Sequence, residues 1–240
     1  MTSPAAASEN QQNSTPIKYV GPYTVSQDPP LYLTALDLDD VAEMVRVLNL
    51  NKDVYNGTAS FQFPYKEEHA TARIRRALGY HAGQGRNTHW AMRTSLDGPL
   101  MGWLHVFFEE PEAHEVHPET GRPLVVAEYG YWVSPEHTGR GHAVRAARYF
   151  IEQIVAQESD IDVLRAESYI ENQASRKVLE RTGMVLEKEC SDVYIPKLDQ
   201  MRQIVTYVWH RDPCTRHIQK QNYMASREIA QSTSKPTYHG

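Results

Sequence analysis

Cysteine is scarce in this chain of 240 residues, and long apolar runs are absent. Two cysteines, Cys190 and Cys214, do not make a disulfide framework, and free thiols are typical of a reducing compartment. No apolar stretch approaches the roughly 20 residues of a transmembrane helix. The N-terminus has no positively charged region followed by an apolar segment, so no secretory signal is predicted. We therefore expect a cytoplasmic protein, and nuclear entry stays open.

Positive charge is also in deficit. The chain holds 25 Lys and Arg against 30 Asp and Glu, a net charge of −5, whereas a general nucleic-acid binder usually carries a basic excess. Hydrophobic residues make up 40% and charged residues 23%, as in an ordinary globular protein. A chain of this length can bury one sizeable core and is short for two domains. Neither nucleic acid nor a membrane is expected as a partner.

The chain divides into three segments by pattern. Residues 1–30 are rich in Ser, Ala, Asn, Gln and Pro, which predicts a flexible leader. Residues 31–212 carry strand and helix patterns in the order strand, two helices, three strands, helix, strand, helix, two strands. Residues 213–240 are polar and predict a tail, with a short helix over residues 224–230 as the alternative. Within the domain, Asp37 is the expected N-cap of the first helix, and residues 190–201 are expected to be irregular.

Residues 124–157 carry the strongest signal. An apolar and aromatic run over residues 124–133 predicts a buried strand. An amphipathic helix follows, with apolar residues three and four apart: Val144, Ala147, Ile151, Ile154 and Val155. Gly139, Arg140 and Gly141 lie where the strand becomes the helix. Since unpaired N–H groups and the helix dipole favour an anion there, and glycine permits a close approach, this turn predicts an anion site.

The same stretch resembles motif A of the GNAT superfamily of acetyl-CoA-dependent N-acetyltransferases, which reads Q/R-x-x-G-x-G/A. Thr138, Gly141 and Ala143 occupy its three positions, and Thr138 departs from the usual Gln or Arg. Residues 171–187, ENQASRKVLERTGMVLE, resemble a block of the branch that acetylates ribosomal-protein N-termini and other amines. The resemblance covers residues 31–212. It implies an α+β, three-layer fold with a mixed central sheet of about seven strands flanked by helices.

The resemblance also implies a binding site for acetyl-CoA, with no metal. Backbone groups on the central strand would pair with the pantetheine arm, where that strand and the next one splay apart at a bulge. The turn would hold the pyrophosphate, and Asn172 and Ser175 would contact the cofactor. A helix cap is the alternative role for Asn172, and the two roles are compatible. The cofactor-binding residues implied in this way are Tyr131, Trp132, Val133, Thr138, Gly139, Arg140, Gly141, His142, Ala143, Asn172 and Ser175.

Acetyl transfer needs a general acid and a general base. Several relatives place a tyrosine, the acid for the departing thiolate, at the position that is Leu179 here, so the resemblance implies Ser175 as the donor to the sulfur. Glu128 on the central strand is the first candidate for the base. The catalytic glutamate of the histone-acetyltransferase branch aligns with Ala127, however, so Glu128 would need a bulge that shifts the strand.

Other bases stay open. Tyr194 and Asp192 precede the last strand and are second candidates, because that region often closes over the acceptor in the family. Glu167 on the neighbouring strand is expected to be a buried structural carboxylate. A chain of bulk water would also serve.

Several histidines have simpler interpretations. His105 is expected to be a packed histidine on a strand, and His142, beside the turn, a surface residue. His114 and His117 lie in a polar insertion, where a solvated loop is expected instead of a metal site, because no third ligand is evident.

The predicted function is transfer of the acetyl group of acetyl-CoA to an amine, by direct attack in a ternary complex. The acceptor is a small-molecule amine or a protein N-terminus, and the protein a monomer or homodimer. Two other classes stay open. One is a non-catalytic acyl-CoA sensor, which stays possible because position 179 lacks the tyrosine and the general base is not settled. The other is an interaction protein that acts through residues 1–30 and 211–240.

Overall fold

The computed structural model describes residues 21–84, 87–109, 115–158 and 160–212. Eight strands form one sheet in the order β1-β2-β3-β4-β5-β6-β8-β7. They are β1 Tyr23–Gln27, β2 Pro30–Thr34, β3 His89–Arg93, β4 Gly102–Phe108, β5 Val126–Val133, β6 Val163–Tyr169, β7 Val185–Ile195 and β8 Gln200–His210. Neighbours are antiparallel except for β5 and β6, which are parallel. The predicted mixed sheet is confirmed, with one more strand than the seven or so expected.

Helices cover both faces of the sheet. They are α1 Asp40–Leu48, α2 Asp53–Gly57, α3 Glu67–Gln84, α4 His142–Tyr149 and α5 Gln173–Arg181, and a π-helical segment, Phe150–Glu158, continues α4. Residues of α1, α2 and α3 pack with one face of the sheet, and residues of α4, the π-helical segment and α5 pack with the other. No helix in the described ranges is long and apolar enough to cross a membrane.

The apolar stripe predicted after motif A forms the larger core. Ala147, Ile151, Ile154 and Val155 are buried in it as expected, whereas Val144 is half-buried near the start of α4. The change from α to π geometry at Phe150 was not predicted. Apolar residues three and four apart fit both kinds of helix, so the pattern alone does not distinguish them.

Strand β1 corrects the predicted leader. Residues 23–27 were assigned to a flexible segment, but they pair with β2 in an antiparallel hairpin. Their sequence, YTVSQ, is mostly half-buried or exposed, so it lacks the strong apolar alternation that identifies an inner strand. Residues 1–20 and 213–240, the rest of the predicted leader and the predicted tail, lie outside the described residues.

Two local predictions also change. Helix α1 begins at Asp40, with Asp39 at the N-cap position. Asp37 still caps the preceding turn: its carboxylate accepts a bond from the Asp39 N–H (3.0 Å), and the Asp40 carboxylate accepts one from the Asp37 N–H (2.9 Å). Residues 190–201 are not irregular, because β7 runs to Ile195 and a 3₁₀ turn leads directly into β8. Two register shifts within β7 absorb the irregular pattern.

An ion pair fixes the closed end of the parallel pair β5–β6. Asp162, just before β6, accepts two bonds from Arg122 (2.7 and 2.8 Å) and one from the Val125 N–H (2.9 Å). Burial alone would raise the pKa of Asp162, but the bonds from Arg122 and Val125 outweigh it and hold the pKa below its usual value. Asp162 thus joins the starts of both strands.

We predict that Asp162→Asn lowers the free energy of unfolding by about 1–3 kcal/mol at pH 7, since a buried acceptor loses a charged donor that is itself half-exposed. A carboxylate with a depressed pKa contributes stability above its unfolded pKa of about 3.9 and loses it as the pH falls through its folded pKa. Denaturant unfolding of both proteins should therefore show a difference that shrinks below about pH 4. A difference that is constant with pH would contradict this assignment.

Candidate active site

Strands β5 and β6 separate after three residue pairs. Val126, Ala127 and Glu128 pair with β6, and no residue of β5 beyond Glu128 does. Strand β5 instead keeps its pairing with β4 as far as Val133, and β6 keeps its pairing with β8 as far as Tyr169. The expected splay is present. The expected bulge is not, because the β4–β5 register is continuous from Ala127 to Val133.

The turn between β5 and α4 has the geometry of an anion site. Gly139 and Gly141 have φ of +75° and +76°, the left-handed region that glycine adopts without strain. A side chain added at either glycine would meet nothing within 4 Å, so the turn is open to solvent there. Helix α4 begins at His142, and the N–H groups of its first turn have no intrahelical acceptor. The Thr138 hydroxyl donates to the Pro135 carbonyl (2.9 Å), which shapes the start of the turn.

His142 is buried, which corrects its interpretation as a surface residue. Its Nδ1 lies 3.0 Å from a terminal nitrogen of Arg145. Burial lowers the pKa of His142, and the nearby Arg145 lowers it further. The same arginine donates to Ser26 Oγ (3.0 Å) and the Pro29 carbonyl (2.9 Å), so it ties the β1–β2 hairpin to the first turn of α4.

A cleft of about 620 Å³ opens where the two strands diverge. Helix α3 and the chain before it form one wall, β3, β4 and β5 the floor, and β6 and α5 the other wall. The residues that line it include Ser60, Phe61, Tyr65, Arg73, Arg76, His89, Trp103, His105, Glu128, Gly130, Tyr131, Trp132, Glu167, Ser175 and Leu179. The predicted residues Glu128, Tyr131, Trp132 and Ser175 are thus brought to one cleft.

Ser175 has a partner that the sequence interpretation missed. The Tyr131 hydroxyl lies 3.2 Å from Ser175 Oγ. Burial raises the pKa of Tyr131 to about 12, against the opposing effect of its bond with Ser175. Tyr131 was predicted to pair with the cofactor through its backbone, with its ring as part of the core or cofactor wall. Leu179 is buried and also lines the cleft, so β5 supplies the phenol hydroxyl that position 179 of α5 lacks.

Asn172 caps helix α5. Its side-chain oxygen accepts a bond from the Ser175 N–H (3.1 Å), which supports the alternative cap role. Its amide nitrogen faces Gly57 at the end of α2, where an added Cβ would lie 3.2 Å from it. The cap fixes the position of Ser175 at the mouth of the cleft.

The orientation of Glu128 differs from that of Ala127, which the family register had indicated. Ala127 is fully buried in the core on the side of α4, whereas Glu128 lines the cleft on the opposite side of β5. Glu128 is exposed at the cleft, and the surrounding protein partly desolvates it. Desolvation raises the pKa of Glu128, and the charges of Glu167 and Glu109 raise it further. Glu167 is exposed and also lines the cleft, so its prediction as a buried carboxylate is wrong.

Tyr194 and Asp192 are not brought to this cleft. Both are exposed on β7, and neither is among the residues that line it. The Tyr194 hydroxyl donates to the Asp199 carboxylate at the turn between β7 and β8. The second-choice bases therefore lie on the outer hairpin, because the segment that was expected to fold over the cleft is a regular strand.

The floor of the cleft holds two neutral histidines. His105 packs over Gly130, where an added Cβ would lie 2.5 Å from its ring, and its ring lies 5.7 Å from that of His89. Burial lowers the pKa of both histidines to about 3, with Arg73 as a further cause. His105 is packed, as expected, but it also forms part of the cleft wall. His114, by contrast, lies outside the described residues.

Comparison with known proteins agrees with this geometry. The family model described as an acetyltransferase (GNAT) domain matches residues 31–185, more than half of the chain. The chain belongs to the GNAT acetyltransferase family. No curated protein matches its sequence.

Solved structures share the GNAT fold. RimL, a ribosomal L7/L12 α-N-protein acetyltransferase in complex with coenzyme A, is 18% identical with a TM-score of 0.61, over 78% of this chain and 98% of that one. RimJ from Mycobacterium smegmatis is 18% identical with a TM-score of 0.59, over 80% and 86%. The microcin C7 self-immunity acetyltransferase MccE, in complex with acetyl-CoA and AMP, is 14% identical with a TM-score of 0.58, over 75% and 92%.

We predict that Gly141→Val weakens acetyl-CoA binding by about tenfold or more, because a side chain there would occupy the approach of a phosphate to the backbone. Gly121→Val is the matched control. Gly121 has φ +67° and open space around it, in a turn that belongs to neither β5 nor α4. Both variants carry the strain of a β-branched residue at positive φ. Calorimetric titration should show weakened acetyl-CoA binding only for Gly141→Val. Equal binding by both variants would mean that the turn is an ordinary helix N-terminus and does not bind the cofactor.

Proposed function

We propose that this GNAT protein transfers the acetyl group of acetyl-CoA directly to an amine held in the cleft. The observation that carries the proposal is the splay of β5 and β6. It joins a glycine turn suited to a pyrophosphate at one side to a cleft with ionisable side chains at the other. The proposal accounts for both features with one bound molecule that lies between the strands.

Several residues fit such a molecule. The turn from Thr138 to Ala143 would hold the pyrophosphate through backbone N–H groups, with Arg140 adding charge. The edge of β5 from Tyr131 to Val133, which has left β6, would pair with the pantetheine arm as an added strand would. A backbone N–H near Val133 would polarise the thioester carbonyl. Trp132 supplies the wall of the cleft on the side of α3.

Proton transfer is assigned to groups at the cleft. Glu128 accepts a proton from the acceptor amine, directly or through water, and its raised pKa suits that role near neutral pH. Ser175 donates a hydrogen bond to the departing sulfur, and Tyr131 supports Ser175 from the floor. This pair replaces the tyrosine that the family often places at position 179. A non-catalytic sensor would need no such arrangement of hydroxyls and carboxylates.

The acceptor class is a protein N-terminus or a small-molecule amine. The name of RimL states that it acts on a ribosomal-protein N-terminus, and the MccE structure holds the small molecule AMP. The cleft volume falls in the range of small-molecule sites and would also admit the first residues of a peptide. All the residues assigned here come from one chain, so a monomer or a homodimer would serve. The reducing compartment indicated by two cysteines favours the cytoplasm.

Release of free CoA in the presence of a panel of amines and peptides tests the function. We expect steady turnover with at least one acceptor, and stabilisation of the fold by about 2.7 kcal/mol at a hundredfold excess of acetyl-CoA over its dissociation constant. Glu128→Gln should lower kcat/KM by roughly two to four powers of ten and remove the acidic limb of its pH profile. The limb disappears because the group that must be ionised is gone.

Two controls separate catalysis from folding. Because the folded state raises the pKa of Glu128, its ionised form opposes folding above that pKa, and Glu128→Gln should be at least as stable as the parent at pH 7. Ser175→Ala should lower kcat by a smaller factor and keep the acidic limb. Full activity of Glu128→Gln would show that Glu128 is not the general base. If no amine causes release of CoA, the alternative of a non-catalytic acyl-CoA sensor is favoured.

A further inference from the structure

Charge is distributed unevenly along the cleft. Carboxylates lie on the β5 and β6 side, where Glu128 and Glu167 line the cleft. The negative charge of Glu167 repels that of Glu128 and raises the pKa of Glu128. Guanidinium groups lie on the α3 side, where Arg73 and Arg76 line it. The charges that raise the pKa of Glu128 are carboxylates alone, which places it in a negative part of the cleft.

Arg73 is a half-buried cation without an acidic partner among the described residues. It donates to the Ser60 carbonyl (3.0 Å), and its guanidinium carbon lies 4.2 Å from the centre of the Phe61 ring. These contacts hold the side chain against the wall and engage one of its terminal nitrogens with Ser60, so the guanidinium keeps N–H donors for a ligand. Stacking on an aromatic ring and a fixed fork are features of arginines that bind oxyanions. Arg73 is thus positioned before any ligand binds.

Other groups around Phe61 donate as well. Tyr65 and Trp132 both pack against the Phe61 ring, at 5.6 and 6.0 Å between ring centres. Both are more than nine-tenths buried and line the cleft, and the Trp132 indole N–H has no hydrogen-bond partner among the described residues. A tryptophan N–H can only donate. An unpaired buried donor is costly, so this wall favours a ligand that accepts hydrogen bonds.

The field at this wall is positive. Lys197 Nζ donates to the Phe61 carbonyl (3.0 Å), on the other side of the same loop. Burial lowers the pKa of Lys197 to about 8, and the charge of Arg73 lowers it further. Arg73 likewise contributes to the low pKa of His89 and His105. Three neighbouring groups therefore sense a positive charge that no carboxylate of the described residues neutralises.

We infer that the amine acceptor carries an anionic group, a carboxylate or phosphate, that binds Arg73 while its amine lies beside Glu128. The inference deepens the proposed function and depends on it. The polarity of the cleft then orients the acceptor: the ammonium group is attracted to the carboxylates and the oxyanion to Arg73. Trp132, whose ring contacts Phe61, and Glu128 are four residues apart on β5. Their Cα atoms are therefore separated by about 13 Å. A zwitterion of a few residues' length can span such a distance.

Matched acceptors test this inference. One pair is a C-terminally amidated dipeptide whose second residue is Glu or Gln, and the other is 8-aminooctanoate and its carboxamide. The first pair represents a protein N-terminus and the second a small molecule, and within each the amine is kept and the anion removed. We expect the anionic member of at least one pair to have a kcat/KM at least about tenfold higher, as a charge-assisted hydrogen bond would give.

Variants locate the effect. Arg73→Gln should abolish that preference by raising KM for the anionic acceptor about tenfold or more, with a smaller effect on the neutral acceptor. Arg75→Gln is the control, because Arg75 is exposed on the same helix and does not line the cleft. Arg76 also lines the cleft, but the contact with Ser60 comes from Arg73. Arg76→Gln should therefore lower the preference for the anionic acceptor by a smaller factor, and it gives a second test if Arg73→Gln fails to fold.

The outcomes distinguish the two proposals. If no amine releases CoA, the proposed function fails and the inference fails with it. Turnover with equal kcat/KM for the charged and neutral members of both pairs overturns only the inference. A preference that survives in folded Arg73→Gln and Arg76→Gln also overturns it, because the anion would then be recognised elsewhere.

Discussion

The divergence of two parallel strands is the constraint on which the site depends. Parallel neighbours in a sheet normally continue to exchange hydrogen bonds, and unpaired strand edges inside a protein are costly. Here β5 and β6 part after Glu128, while each remains bonded to its other neighbour. The ion pair of Arg122 and Asp162 holds the closed end. The open end exposes backbone groups that a bound chain-like molecule can satisfy, which is why a binding site and a cleft occur at the same place.

Electrostatics then gives the cleft its chemical character. The two histidines of its floor stay neutral, because burial disfavours their charged forms. Desolvation raises the pKa of Glu128, and the charges of Glu167 and Glu109 raise it further, whereas Arg73 has no acidic partner among the described residues. A low dielectric strengthens each of these effects. The cleft is thus suited to an amine that must lose a proton at a defined point.

The sequence predicted the parts of this architecture that depend on local pattern. The helix stripe after residue 143 and the glycines of the turn follow from periodicity and from backbone freedom at positive φ, and both are present. Strand β1 was missed because an edge strand with few buried residues has no alternation to detect. Strand β7 was not predicted as one continuous strand, because its two register shifts interrupt the alternation of side chains between the two faces of the sheet.

The site was predictable only in part, for a similar reason. Glu128 was identified by position on a strand, but only the structure shows that it faces the cleft while Ala127 faces the core. Tyr131 was assigned through its backbone, and its contact with Ser175 joins residues 44 positions apart. Arg73 resembles any other arginine of an amphipathic helix in sequence. Its lack of an acidic partner is a property of the packed chain and has no sequence pattern.

Amide hydrogen exchange measured residue by residue, with and without acetyl-CoA, tests the role of the splayed strands most directly. Amides of Tyr131, Val133 and residues 139–143 should exchange about tenfold or more slowly when acetyl-CoA is present, because new hydrogen bonds protect them. Amides of residues 191–195 and 200–204, which pair without interruption in the β7–β8 hairpin, should not respond. Protection that is unchanged at both groups of residues, under conditions where calorimetry shows acetyl-CoA bound, would contradict the account.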